Sequence, residues 1–220
     1  MTDDLDPYEV WQAWRPHQVV QLFSSLTIPW WIAGGWALDL FLGVQTREHH
    51  DIDIQILRRD QQAVRALLHQ WDIQGRALLH PWDLEVTSPT LNLDTLPFQV
   101  WEPDMLLGKG AYDIFCRPQK SGPWALQLMV GDSSEDQWLF RRDSRVRRPI
   151  ASIGSVTSDG IPYMVPEIQL LYKARAPRPQ DDADFARTFP HLSQASRAFL
   201  VQALALVYPG HRWLLELESS

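Results

Sequence analysis

Cysteine is nearly absent. The 220-residue chain carries one, Cys116, which excludes an intramolecular disulfide framework and a cysteine-based zinc site. Long apolar runs are missing as well: none approaches the roughly 18 residues that a membrane-spanning helix needs. Basic charge is in deficit, with 20 Lys and Arg against 27 Asp and Glu and a formal net charge of −7. A protein whose main partner is a nucleic-acid backbone usually presents a basic surface, so DNA and RNA are disfavoured as partners. Internal repeats and low-complexity segments are also lacking. The opening residues Met1-Thr2-Asp3-Asp4 have no signal-peptide pattern, and the expectation is a cytoplasmic protein with no membrane partner. Tryptophan, by contrast, is abundant, with eleven residues. Rings beyond the needs of a core often wall ligand clefts, but a Trp-rich core is the simpler account and is favoured.

The periodicity of apolar residues predicts a helix from Tyr8 to about Leu26, despite Pro16 early in it. A buried strand follows at Trp30-Trp31-Ile32-Ala33. After Gly34-Gly35 comes a short helix, Trp36 to Leu42, closed by Gly43. Alternation over Ile52-Asp53-Ile54-Gln55-Ile56-Leu57 predicts a strand, and Asp60 is placed to cap the next helix. Short strands dominate from Trp71 to about Phe140, with a hairpin expected between Ala111–Phe115 and Trp124–Val130. Helices are expected from Pro166 to Lys173, from Asp181 to Thr188 and from Ser193 to Val207. The fold class read from this order is α+β: a mixed β-sheet flanked by helices with a C-terminal helical segment. The expected division is an α/β core over residues 1–150 and a helical segment over 151–220.

The chemistry centres on Asp51-Ile52-Asp53. Residues i and i+2 of a strand face the same side, so the two carboxylates project together. Such a pair repels itself unless a cation intervenes, and hard oxygen donors suit Mg²⁺, which shares its shell with water and phosphates. Two such ions can stabilise the attacking and leaving oxygens of an in-line displacement. An Asp-x-Asp alone is more often a solvated strand end. The context adds weight: sixteen residues earlier, Gly34-Gly35 stands at a strand-to-helix turn whose N–H groups can hold phosphate oxygens. For a third acid, Asp113 is chosen because it interrupts an apolar strand, where a carboxylate is costly unless solvated, paired or metal-bound. Asp83 and Glu85 are the alternatives, and a water-facing edge position remains open for Asp113.

The run Trp31-Ile-Ala-Gly-Gly-Trp-Ala-Leu-Asp39, followed by Gly43-Val-Gln-Thr-Arg47-Glu-His-His-Asp51-Ile-Asp53, closely resembles the aminoglycoside and lincosamide nucleotidyltransferases of the polymerase-beta-like superfamily. The resemblance is strong over residues 28–57 and thinner through Asp113. It implies a nucleotidyltransferase fold and transfer of a nucleoside monophosphate, AMP from ATP, to a hydroxyl of a small molecule such as an aminoglycoside-like antibiotic. Carried over by position, it makes Asp51 and Asp53 ligands of two Mg²⁺ ions. Gly34 and Gly35 become the triphosphate-contacting turn, Arg47 a phosphate contact, and Asp113 a metal ligand and the general base. His50 departs from the acid that relatives often have before the first aspartate.

Lys173, in a Lys173…Arg175…Asp181-Asp182…Asp184 pattern that many superfamily members share, is expected to neutralise triphosphate charge. A self-paired, solvated loop is an equal alternative. The acidic balance, these three clustered acids and the resemblance together suggest a small, hydroxylated, cationic acceptor bound between the strand aspartates and the helical tail. The arginine run 141–148 is read as a solvated face. Two rival functions stay open: a toxin-like transferase acting on tRNA or protein, and a catalytically silent nucleotide-binding module.

Overall fold

Pro16 begins the first helix instead of interrupting it. Proline lacks the N–H that a first helical residue leaves unpaired in any case. The computed structural model, which describes residues 10–76, 78 and 97–218, therefore shortens the expected first helix to α1, Pro16–Phe23. The preceding residues run extended: Gln12 N–H donates to Trp124 O at 3.0 Å and Trp14 N–H to Ala125 O at 2.9 Å. In chain order there follow β1 Trp30–Ile32, α2 Gly34–Leu42, β2 Asp53–Leu57, α3 Gln61–Leu67, β3 Asp72–Gly75, β4 Gln99–Val100, β5 Asp113–Arg117 and β6 Leu126–Ser134. Then come β7 Gln137–Leu139, β8 Arg147–Pro149, β9 Gly154–Val156, β10 Pro162–Met164, α4 Pro166–Lys173, α5 Pro179–Thr188, α6 Gln194–Val207 and α7 Trp213–Glu218. The mixed sheet, the flanking helices and the C-terminal run of helices are those expected. Strands β8 to β10 and α7, too short for a periodic signal, were not. Asp60 stands at the N-cap of α3, but its side chain makes no capping hydrogen bond.

The chain divides into two compact units, Met1–Trp30 with His49–Asp132, and Trp31–Glu48 with Ser133–Ser220. The expected boundary near residue 150 falls inside the second unit, in a 3-10 turn at Ile150–Ser152.

In the first unit β6 is the shared strand. It pairs in parallel with β2 and antiparallel with β5, and β5 continues to β3 and β4. The registers sort side chains by face. Ile54, Ile56, Leu128, Val130, Ile114 and Cys116 fall on one side, all at most 3% exposed. That apolar face is core. Burial pushes the Cys116 thiol well above its ordinary value, which leaves it unreactive.

In the second unit β1 pairs in parallel with β10, and β10 antiparallel with β9. Helix α4 packs on α2, α5 and α6. Tryptophan serves these interiors: Trp101, Trp124, Trp138 and Trp213 are fully buried, with Phe115 edge-on to Trp124 and Phe185 stacked on Trp213 at 4.4 Å. The favoured reading of the Trp content is the one the packing supports. Among the described residues no helix is long and apolar enough to cross a membrane.

One packing contact requires glycine. A Cβ at Gly154 would overlap the Trp31 indole nitrogen and its neighbouring ring carbon, and Trp31 is itself buried. Gly154→Ala is expected to lower stability by about 1–3 kcal/mol, the cost of overpacking, measured by urea unfolding. A loss below about 0.5 kcal/mol, ordinary for an unconstrained site, would contradict this packing.

Candidate active site

The second face of the β2–β6–β5 group carries polar side chains among apolar ones. Asp53 is in register with Gln127, and Asp113 with Met129; Gln127 and Met129 alternate with the buried Leu128, so Asp53, Gln127 and Asp113 share one face. Asp53 and Asp113 are half-buried, and Asp51 is exposed. The buried Ile52 separates Asp51 from Asp53, and its carbonyl accepts the Gln127 N–H at 2.9 Å, extending the ladder one residue before β2. The first unit thus brings Asp53 and Asp113 to one side of one sheet, with Asp51 just ahead of β2.

It does not draw them into a single cluster. Among the described residues no group of three or more His, Cys, Asp or Glu side chains is gathered to hold a metal ion. The reason is topological. β2 and β5 flank β6, which separates their axes by two strand spacings, roughly 10 Å. The alternative acids Asp83 and Glu85 lie outside the described residues.

Gln127 stands between the acids, and its Nε2 donates to Asp113 Oδ1 at 3.4 Å. Its signal in the sequence was a polar residue in an otherwise apolar stretch, Leu126-Gln127-Leu128. Arg58, directly after β2, was also missed. Its guanidinium donates to Asp132 Oδ1 at 2.6 Å, Gly108 O at 2.6 Å and Ala111 O at 3.0 Å. Two of these bonds fix the chain just before Tyr112 and Asp113.

Gly34, Gly35, Arg47 and Lys173 belong to the second unit. Gly34 opens α2 with φ of 63°, a left-handed conformation that favours glycine. Its N–H is taken by Gln169 Oε1 at 2.7 Å, so the turn's first amide has a protein partner. Asp39, an acid on an apolar helix, is 4% exposed. It accepts from Thr46 N–H at 3.1 Å and Thr46 Oγ1 at 2.7 Å, holding the loop that leads to Arg47.

Arg47 and Lys173 meet at one carboxylate. Asp184 receives Arg47 Nε at 3.3 Å and Lys173 Nζ at 2.9 Å, while Lys173 also reaches Asp181 at 2.8 Å. Asp182 pairs with Arg212 and accepts the Trp213 indole N–H at 2.9 Å. The three acids expected to attract a cationic acceptor are therefore engaged within the protein. Asp181 and Asp184, both buried, serve the packing of α5. Sequence spacing could not distinguish this from an open acidic wall. The arginine run is likewise engaged: Arg148 binds Glu167 at 2.6 Å, Arg145 binds Asp143, and Arg142 donates to Tyr172 O at 2.8 Å.

A model of the family described as aminoglycoside-2''-adenylyltransferase matches residues 16–110. The chain is 47% identical over 38 residues to a 2''-aminoglycoside nucleotidyltransferase of Klebsiella pneumoniae, 17% of this chain and 22% of that protein. It is 44% identical over 36 residues to a lincosamide resistance protein of Staphylococcus haemolyticus, 16% and 22%. The matched segments thus span about a fifth of these relatives' length. The solution structure of the antibiotic-resistance factor ANT(2'')-Ia has a TM-score of 0.52 at 15% identity, covering 92% of this chain and 94% of that one. The fold is that of a nucleotidyltransferase. In family match, relatives and fold, the chain is similar to the aminoglycoside and lincosamide nucleotidyltransferases.

Burial alone would raise the Asp181 carboxyl, but hydrogen bonds from Arg178 and Lys173 outweigh it and hold the group well below the usual carboxylate range. A depressed folded value stabilises the native state in full above the unfolded value, about 3.9, and that contribution is lost as pH falls through the folded value. Asp181→Asn is therefore expected to be less stable than wild type at pH 7, with the gap narrowing below about pH 4. Denaturant midpoints at pH 3 and 7 check this; a gap as wide at pH 3 as at pH 7 would contradict it.

Proposed function

We propose that this protein is a magnesium-dependent nucleotidyltransferase that moves AMP from ATP to a hydroxyl of a small molecule of the aminoglycoside or lincosamide kind, in the cytoplasm. The observation that carries the reading is the single sheet face shared by Asp53 and Asp113, with Asp51 two residues before Asp53. The donor set fits magnesium: this ion is commonly held by one or two carboxylates, with water and substrate phosphates completing its shell. In this account Asp51 and Asp53 hold it, and Asp113, on a separate strand, serves the acceptor. Bound there, Mg²⁺ supplies charge stabilisation to the phosphoryl oxygens and the leaving pyrophosphate.

Asp113 Oδ takes the proton of the acceptor hydroxyl. The freed oxygen forms a bond to the α-phosphorus as the bond to the bridging oxygen breaks, and pyrophosphate departs. Gln127 orients the Asp113 carboxylate through the amide it donates to Oδ1. The Gly34-Gly35 turn and the cations Arg47 and Lys173 contact the triphosphate. The Asp184 carboxylate that Arg47 and Lys173 share fixes both side chains before nucleotide arrives, which lowers the entropy lost on binding. The net charge of −7 and the aminoglycoside-modifying relatives support a cationic, polyhydroxylated acceptor; the clustered acids of α5 no longer do.

Asp51→Asn and Asp53→Asn are each expected to retain less than about a tenth of the wild-type rate with the fold intact, since metal catalysis contributes several kcal/mol. Asp113→Ala should lower kcat by about 10²–10⁴-fold with little change in nucleotide affinity, because a base acts in the transition state. The acceptor is identified by incubating aminoglycosides and lincosamides with α-labelled ATP and Mg²⁺. Label should move to one of them. Label on tRNA or protein from an extract instead would establish a macromolecular acceptor, absence of pyrophosphate release would establish a silent module, and magnesium-independent release would contradict the metal assignment.

A further inference from the structure

Gln169 is a carboxamide in apolar surroundings. It lies on α4 between Ile168 and Leu170, both fully buried, and is 4% exposed itself. Burying such a group is costly unless it is hydrogen-bonded, and its oxygen has one specific task, accepting the Gly34 N–H at 2.7 Å. Gly34 is the first residue of α2. The first N–H groups of a helix have no partner within it, so this amide needs an acceptor from elsewhere. A carboxylate at position 169 would be the stronger acceptor, yet the residue is the neutral isostere. The acid of α4, Glu167, two residues earlier, is itself buried and bonded to Arg148 at 2.6 Å. The glycine turn's first amide is thus met by an uncharged acceptor.

We propose that Gln169 is a positioning residue for nucleotide binding: it holds the left-handed Gly34 turn through a neutral oxygen, fixing the turn without placing negative charge beside the incoming phosphates. The inference rests on the reading of Gly34-Gly35 as the phosphate-contacting turn.

Full-length wild type, Gln169→Glu and Gln169→Met are compared for binding of AMP, ADP and ATP with Mg²⁺ by calorimetry, at low salt and near 1 M salt, with thermal unfolding alongside. Glu keeps the length and the acceptor but adds charge. Its affinity loss should grow with phosphate number, reach about tenfold for ATP, and shrink at high salt where charge interactions are screened. Met removes the acceptor without adding charge, and its loss for ATP should persist at high salt. A purely structural role would weaken all three nucleotides alike and ignore salt. A Glu variant matching wild type, or losing equally for all three nucleotides at both salts, overturns the inference while leaving the nucleotide reading intact; if the Glu variant does not fold, ATP binding by the Met variant equal to wild type does the same. Wild-type protein that binds none of the three nucleotides overturns the nucleotide reading, and this inference with it.

Discussion

The register of β6 against its two neighbours is the constraint on which the candidate site depends. A side-chain period of two means that a slip by one residue on either edge would turn an aspartate into the core and an isoleucine or leucine outward. Asp53 opposite Gln127 and Asp113 opposite Met129 are the pairings that avoid this. The apolar face enforces them, because Ile54, Ile56, Leu128 and Ile114 are completely buried together. Hydrophobic burial thus fixes where the carboxylates stand. Arg58 reinforces the arrangement by tying Asp132, at the end of this segment, to the carbonyls just ahead of Asp113.

The second unit places its charges by a different rule. Lys173, Arg47, Asp181 and Asp184 are largely withdrawn from water and compensate one another. Removing one partner of such a set leaves an uncompensated buried charge, at a cost of about 3–5 kcal/mol. The network therefore restricts which side chains evolution or design can alter without unfolding the unit. Lys173 has a structural role in the free protein whatever it contacts in the complex, and activity loss in a Lys173 variant needs a stability measurement beside it.

Local patterns were legible in the sequence wherever chemistry and periodicity agreed. The β2 alternation, the β5–β6 hairpin, α4 with Pro166 in its first turn, and α6 after Ser193 all follow from residue order. Asp51 and Asp53 were singled out as a carboxylate pair two residues apart, and Asp113 because an acid in an apolar strand demands an explanation. What escaped depends on partners far apart in the chain. Gln169 reaching Gly34 and Arg58 reaching Gly108 join residues that no spacing relates. The insertion of β6 between β2 and β5 also escaped, since strand order in a sheet is set by packing, and it separates the third acid from the pair. The acids of α5 looked like a ligand surface because a run of charge reads alike whether it faces water or a buried lysine.

The most direct test of the account is the position of a metal. Crystals grown with Mn²⁺ and a non-hydrolysable ATP analogue would locate the ion by its anomalous signal. The account predicts manganese bound by the Asp51 and Asp53 carboxylates on the sheet face that carries Asp113, with nucleotide phosphate completing its shell. Manganese bound elsewhere, or nucleotide bound with no metal on Asp51 or Asp53, would contradict it.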